Sequence, residues 1–132
     1  PNYSFVEGDA ASFVRVEPEP EKYTKALCYG VFSYLGAEDA ETVLRELASR
    51  FSNVSTFYIG NLPDRDLAHL FYNEDIDYSE LLDDPLAAIG IWRSRERVSE
   101  LAGKFGWEAE FFTMPEGFYS AHYRYDVKLT RG

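Results

Sequence analysis

The stretch YTKALCYGVFSYLGAEDAETVLRELASRFSNVSTFYIGNLP, Tyr23 to Pro63, decides the fold, because it reads as strand, helix, strand. Ala26 to Phe32 is an almost unbroken apolar run, which predicts a strand covered on both faces, and Val54 to Ile59 is a second run rich in β-branched and aromatic residues. Both predict positions in the middle of a parallel sheet. Between them Ala40, Val43, Leu44, Leu47, Ala48 and Phe51 recur at helical spacing, with Glu41, Arg45, Glu46 and Arg50 on the opposite face. The unit is βαβ. Such crossovers are right-handed in nearly all proteins, so the helix lies on one side and the strands' carboxyl ends share one edge, where open α/β sheets bind ligands.

Composition bounds what this unit belongs to. The chain has 132 residues, enough for one domain with a substantial core. Thirteen basic against 23 acidic residues leave a net charge of −10, which argues against a nucleic-acid partner held by bulk electrostatics. The single cysteine, Cys28, lies inside the apolar run and reads as a small buried hydrophobe; no disulfide framework, CxxC or zinc spacing is present. The carboxylates sit in acidic loops without fixed ligand spacing, so no metal site is expected. The sequence has no apolar stretch long enough to span a bilayer and no secretory pattern, so the expectation is a soluble, cytoplasmic protein without membrane contact.

Outward from the central unit, Tyr3 to Val6 is a short strand candidate ending at Glu7-Gly8-Asp9, a turn signal. Asp9 is either a residue at a strand's carboxyl end or the cap of a short helix through Ala10 and Ala11. Glu17 to Glu21, with Pro18 and Pro20, is an acidic, solvated connection. Beyond the second strand, Asn61-Leu62-Pro63-Asp64 reads as a loop leading into a helical turn that carries His69, and Asn73 to Asp84 as a long acidic insertion above the sheet. Ser94 can cap a helix bearing Val98, Leu101, Ala102 and Phe105, stopped by Gly106. Trp107 to Thr113 and Ala121 to Thr130 then form an antiparallel hairpin through Met114-Pro115-Glu116-Gly117. In the last strand Tyr123, Tyr125, Val127 and Leu129 alternate with His122, Arg124, Asp126 and Lys128, the pattern of an antiparallel strand near a sheet edge.

That order, a parallel α/β sheet closing with a helix, a strand and an antiparallel partner, resembles the carboxyl-terminal portion of a class I S-adenosylmethionine-dependent methyltransferase. The fold class expected is a partial Rossmann-like sheet, mostly parallel, with a carboxyl-terminal antiparallel hairpin. The residues that carry the resemblance are VEGDA at Val6 to Ala10, KYTKALCYGVFSYL at Lys22 to Leu35, FSNVSTFYIGNLP at Phe51 to Pro63, GIWRSRERVSELAGKFGW at Gly90 to Trp107 and HYRYDVKL at His122 to Leu129. They cover nearly the whole chain through pattern rather than invariant motif.

The resemblance implies S-adenosylmethionine as cofactor and a small molecule as substrate. Asp9 and Ala10 match the acidic residue and neighbour that contact adenine: a carboxylate can accept the exocyclic amino hydrogen and a backbone N–H can donate to a ring nitrogen. Tyr29, Gly30 and Val31 match the segment facing the methionine half of the cofactor, although Thr24 stands where the family often has aspartate. Methyl transfer needs alignment, and a base only where the nucleophile must lose a proton. His122 is the candidate base. Tyr34, His69 and Tyr119 are candidates for the substrate wall, with Tyr72 and Tyr78 as further aromatics.

One part of the family pattern is not in these 132 residues. A glycine-rich GxGxG turn, and the strand and acidic residue that accompany it, would supply the N–H donors that cradle the cofactor's amino acid and ribose. The preferred expectation is a single, incomplete methyltransferase-like domain, inactive alone. Completion by another polypeptide and reduction to a non-catalytic interaction domain stay open. In either of those cases exposed strand edges predict self-association, as a homo-oligomer or strand-exchanged dimer.

Overall fold

The computed structural model describes residues 3–73 and 75–132. In chain order these form α1 (Ala10–Val16), β1 (Lys25–Tyr29), α2 (Ala37–Ser49), β2 (Thr56–Pro63), α3 (Arg95–Gly103), β3 (Trp107–Thr113) and β4 (Arg124–Arg131), with short 3-10 turns between them. The four strands make one sheet in the order β1-β2-β4-β3. β1 and β2 are parallel neighbours, Lys25 facing Thr56 and Tyr29 facing Gly60, so the central unit is βαβ as its periodicity predicts. β4 runs antiparallel to both β2 and β3, which gives a mixed α/β sheet with a parallel opening and a closing hairpin.

One face of this sheet carries the core. Phe57 and Ile59 of β2 join Tyr125, Val127 and Leu129 of β4 and the apolar stripes of all three helices in a single buried cluster. Alternation along a strand sends successive side chains to opposite faces, so Leu27, Tyr58, Lys128 and Glu110, which follow one another across the register, share the other face. No helix among the described residues covers it. Leu27 is 72% exposed and Tyr29 53%.

Long basic side chains tie the helices to the sheet through main-chain carbonyls. Arg131, at the end of β4, donates from Nε to the Val54 carbonyl (2.7 Å) and from its Nη atoms to Ala48 (2.9 Å), Leu47 (3.1 Å) and Phe51 (2.8 Å), so it closes the carboxyl end of α2. Arg50 does the same for α1 through the Val14 carbonyl and the Glu17 carbonyl. A smaller apolar cluster of Ala68, Leu82, Ile89, Trp92 and Tyr123 fills the space above the strand ends.

Several sequence expectations are corrected. Tyr3 to Val6 is not a strand but exposed chain without regular structure, because no strand among the described residues lies beside it to complete a ladder. β1 stops at Tyr29 and lies at the sheet edge, not its middle: its apolar residues face two ways, but only one side is covered here. Asn61-Leu62-Pro63 belongs to β2 rather than to a loop. The strand passes a bulge where Asn61 adopts φ 66°, and Asp126 accepts the Asn61 N–H (2.8 Å) while Arg124 donates to the Asn61 carbonyl (2.7 Å). β4 is interior, flanked by β2 and β3, so its alternation reports one open sheet face rather than an edge position. His122 precedes β4 in a 3-10 turn (Ala121–Tyr123) rather than starting the strand. The acidic insertion contains a 3-10 turn, Ser79–Asp83, that buries Leu82; its residue 74 lies outside the described residues.

Candidate functional site

The carboxyl end of β1 opens onto a groove of about 830 Å³ between the strand and the amino-terminal segment. Its upper walls are Val6 to Ala10 on one side and Lys25 to Tyr29 with Val31 on the other; Val43, Leu47, Phe51, Val54 and Phe57 form an apolar floor. Along β1 the wall is also a free strand edge, since β2 is the only strand paired with it among the described residues. Half of its backbone N–H and C=O groups therefore face the open side without ladder partners.

Four of the five cofactor candidates, Asp9, Ala10, Tyr29 and Val31, line this groove. Asp9 caps α1: its carboxylate accepts the Ser12 N–H (2.8 Å) and hydroxyl (3.0 Å), and these bonds hold its pKa below the ordinary aspartate value. Each oxygen keeps a further lone pair for an incoming donor. The cap and the ligand contact offered by the sequence are thus compatible in one residue. Gly30, between Tyr29 and Val31, sits at φ 71° with its N–H donating to the Gly60 carbonyl (3.1 Å), a left-handed conformation that favours glycine. It turns the chain sharply at the end of β1.

The remaining candidates do not gather here. Tyr34 donates its hydroxyl to the Ala88 carbonyl (2.9 Å), His69 is exposed on the 3-10 turn after β2, and Tyr119 is 94% exposed between β3 and β4. His122 is exposed and packs edge-on against Tyr123, ring centroids 4.9 Å apart. Tyr72 and Tyr78 do meet, stacked at 4.9 Å, but as part of the aromatic cluster around Trp92. Cys28 also lines the groove, half-buried, with burial pushing its thiol pKa upward. Asp64, at the carboxyl end of β2, escaped the sequence reading. It is buried, accepts the Asp66 N–H (3.0 Å), lies 3.7 Å from Arg95, and is pushed above the ordinary aspartate pKa by burial. A carboxylate placed like a loop residue gave no signal that it would be enclosed. Among the described residues no group of three or more His, Cys, Asp or Glu side chains is placed to hold a metal ion, and no helix is long and apolar enough to cross a membrane.

No protein-family model and no curated protein sequence matches the chain. Solved structures do. The methyltransferase domain of bacterial CtHen1 is similar in two crystal structures: at 15% identity and TM-score 0.58 over 92% of this chain and 59% of that one, and at 16% and 0.53 over 83% and 53%. Magnesium protoporphyrin IX methyltransferase (ChlM) from Synechocystis PCC 6803, solved with bound SAH, is similar at 14% identity and TM-score 0.55 over 83% of this chain and 45% of its own. The chain spans just over half the length of the CtHen1 structures it matches. With the parallel β1–α2–β2 unit and the closing β3–β4 hairpin, these likenesses show that the chain has a class I methyltransferase-like fold over part of that fold's length.

Proposed function

We propose that this chain is part of an S-adenosylmethionine-dependent methyltransferase acting on a small molecule in the cytoplasm, rather than on nucleic acid or at a membrane. The observation that carries the reading is the convergence of Asp9, Ala10, Tyr29 and Val31 on one groove at the carboxyl end of β1. In this reading Asp9 and the Ala10 N–H hold the adenine, and the Gly30 turn lets the backbone approach the methionine half. His122, Tyr34, His69 and Tyr119 lie apart from this groove, so the reading rests on the cofactor side alone. Residues 1–132 form a single, incomplete domain that needs a glycine-rich turn from elsewhere in the protein to cradle the cofactor's charged end. The net charge of −10 supports a partner other than a phosphate backbone.

Calorimetry with S-adenosylhomocysteine tests this. The full-length protein should bind, residues 1–132 alone should bind at least about tenfold more weakly, and Asp9→Asn should weaken full-length binding roughly fivefold. Asparagine caps helices as well as aspartate does, so α1 stays intact and the loss reports the carboxylate. Absence of binding to the full-length protein refutes the reading.

A second reading has its own observation: the free edge of β1, flanked by exposed Leu27 and Tyr29, fits a non-catalytic domain that self-associates by strand pairing. Light scattering would then give a dimer that Leu27→Lys returns to monomer. A monomeric wild type rejects it.

A further inference from the structure

A second cavity, of about 470 Å³, lies where the amino termini of α2 and α3 converge. Gly36 and Ala37 at the start of α2, Ser94 at the start of α3, and Arg65, Arg93 and Arg97 line it. No side chain caps α2, so its first-turn amides are free to donate, while the Ser94 hydroxyl accepts only the Arg97 N–H of α3. Each helix amino terminus carries roughly half a positive charge, partly offset by the first-turn carboxylates Glu38 and Asp39 of α2 and Glu96 of α3.

The side chains add to this. Arg93 is 6% exposed and has no carboxylate within ion-pair distance among the described residues; two of its donors go to the Phe32 (3.2 Å) and Leu35 (2.9 Å) carbonyls. A guanidinium has five N–H donors, so three remain. The two acidic side chains in the wall are already engaged, Asp83 by Arg65 (2.8 Å) and Glu41 by Lys104 (2.8 Å). Arg97 has only a loose, exposed pairing with Glu100 at 3.7 Å. Trp92, 1% exposed, contributes ring surface to the wall; its unpartnered Nε1–H is sealed from solvent and adds no donor to the cavity. In a chain of net charge −10, a buried guanidinium without a carboxylate, beside the exposed Arg97 and two helix amino termini, suits an anion.

We propose that the cavity is an anion subsite that takes the phosphate or carboxylate group of a small-molecule acceptor. Its volume exceeds what one oxyanion fills, so the anchored molecule extends beyond its charged group. Its role in holding an acceptor rests on the methyl-transfer reading; its affinity for anions does not. The test is an NMR titration of the full-length protein with inorganic phosphate, and separately with acetate, at constant ionic strength. Saturable shifts are expected at the amides of Ala37, Ser94 and Arg97, with an Arg97→Glu midpoint raised at least about tenfold, by loss of one charge-assisted partner and gain of a repulsive one. Arg97→Lys, which keeps the charge, should fall between. Tighter phosphate than acetate binding identifies a phosphorylated acceptor, and the reverse a carboxylated one. Shifts that do not saturate, or a midpoint unchanged in Arg97→Glu, overturn the proposal. Saturable phosphate binding in a protein that takes up no S-adenosylhomocysteine would keep the anion site and remove the methyltransferase.

Discussion

Arg131→Met removes the side-chain hydrogen bonds that close the end of α2 while keeping a stem of similar length against Trp107, whose ring lies 4.8 Å from the guanidinium. Four carbonyls lose the Arg131 donor, and of these Phe51 keeps the Val54 N–H at 2.9 Å. Ala48 faces solvent and can turn to water, so its bond contributes little; Val54, Leu47 and Phe51 are partly buried. Bonds to a charged donor stabilise by about 1.5–3 kcal/mol each when enclosed, and sharing one half-wet cation brings the three to about 1 kcal/mol apiece. The expected loss is therefore about 3 kcal/mol. At roughly 2 cal/mol/K of unfolding entropy per residue, that lowers the Tm by about 10 °C. Arg131→Lys restores one bond and the charge at the helix end but not the fan, so it should recover about a third of the loss. Urea unfolding followed by far-UV circular dichroism measures both, with an unchanged m-value expected. A loss under about 1 kcal/mol in Arg131→Met, or full recovery by lysine, would show that the fan is ornamental and that α2 is held by its apolar stripe alone.

Other outcomes follow from single contacts. Gly90 has φ 82°, and a Cβ there would meet the Ser33 carbonyl, so Gly90→Ala should cost about 2–4 kcal/mol by thermal unfolding. The Tyr58 hydroxyl donates to Asp126 (2.7 Å), and burial first, with that bond second, pushes its pKa up to about 12. Because the folded-state value is the higher one, this stabilisation is complete below the unfolded value of about 10 and is lost as pH rises toward 12. Alkaline unfolding of Tyr58→Phe should accordingly show a shallower pH slope in that window than wild type. Gly30→Val should reduce S-adenosylhomocysteine affinity of the full-length protein by at least about tenfold, since a β-branched residue resists φ 71° and shifts the turn between Tyr29 and Val31; equal affinity would remove Gly30 from the site.

How much of this was legible depended on whether a feature was local. The strand–helix–strand unit is written in period: Ala40, Val43, Leu44 and Leu47 recur every three to four residues and all are buried in α2, and Trp107–Thr113 is a strand with the boundaries its composition suggests. Position within the sheet is not local. Alternation in β4 reports that one face is open, and an edge strand and an interior strand of a half-covered sheet share that signature. β1 was misplaced for the converse reason, since Leu27 and Tyr29 are apolar whether or not anything covers them. The Gly60–Asn61 bulge read as a loop because the side chains that satisfy its backbone, Asp126 and Arg124, lie more than sixty residues away. Arginines carried the least signal. Arg50, Arg93 and Arg131 look like solvated charges in the sequence, yet each clasps carbonyls that a helix end or turn leaves open, and Arg93 ends up enclosed beside a cavity. Of the site, the family resemblance picked out Asp9, Ala10, Tyr29 and Val31, which the fold brings to one groove; Tyr34, His69, Tyr119 and His122 lie apart from it.

The most direct test is a crystal structure of the full-length protein grown with S-adenosylhomocysteine. The account predicts the adenine between Asp9–Ala10 and the end of β1, with the ligand's chain running past Gly30. Density for the ligand elsewhere, or a strand from a second copy occupying the groove beside β1 in its place, would contradict it.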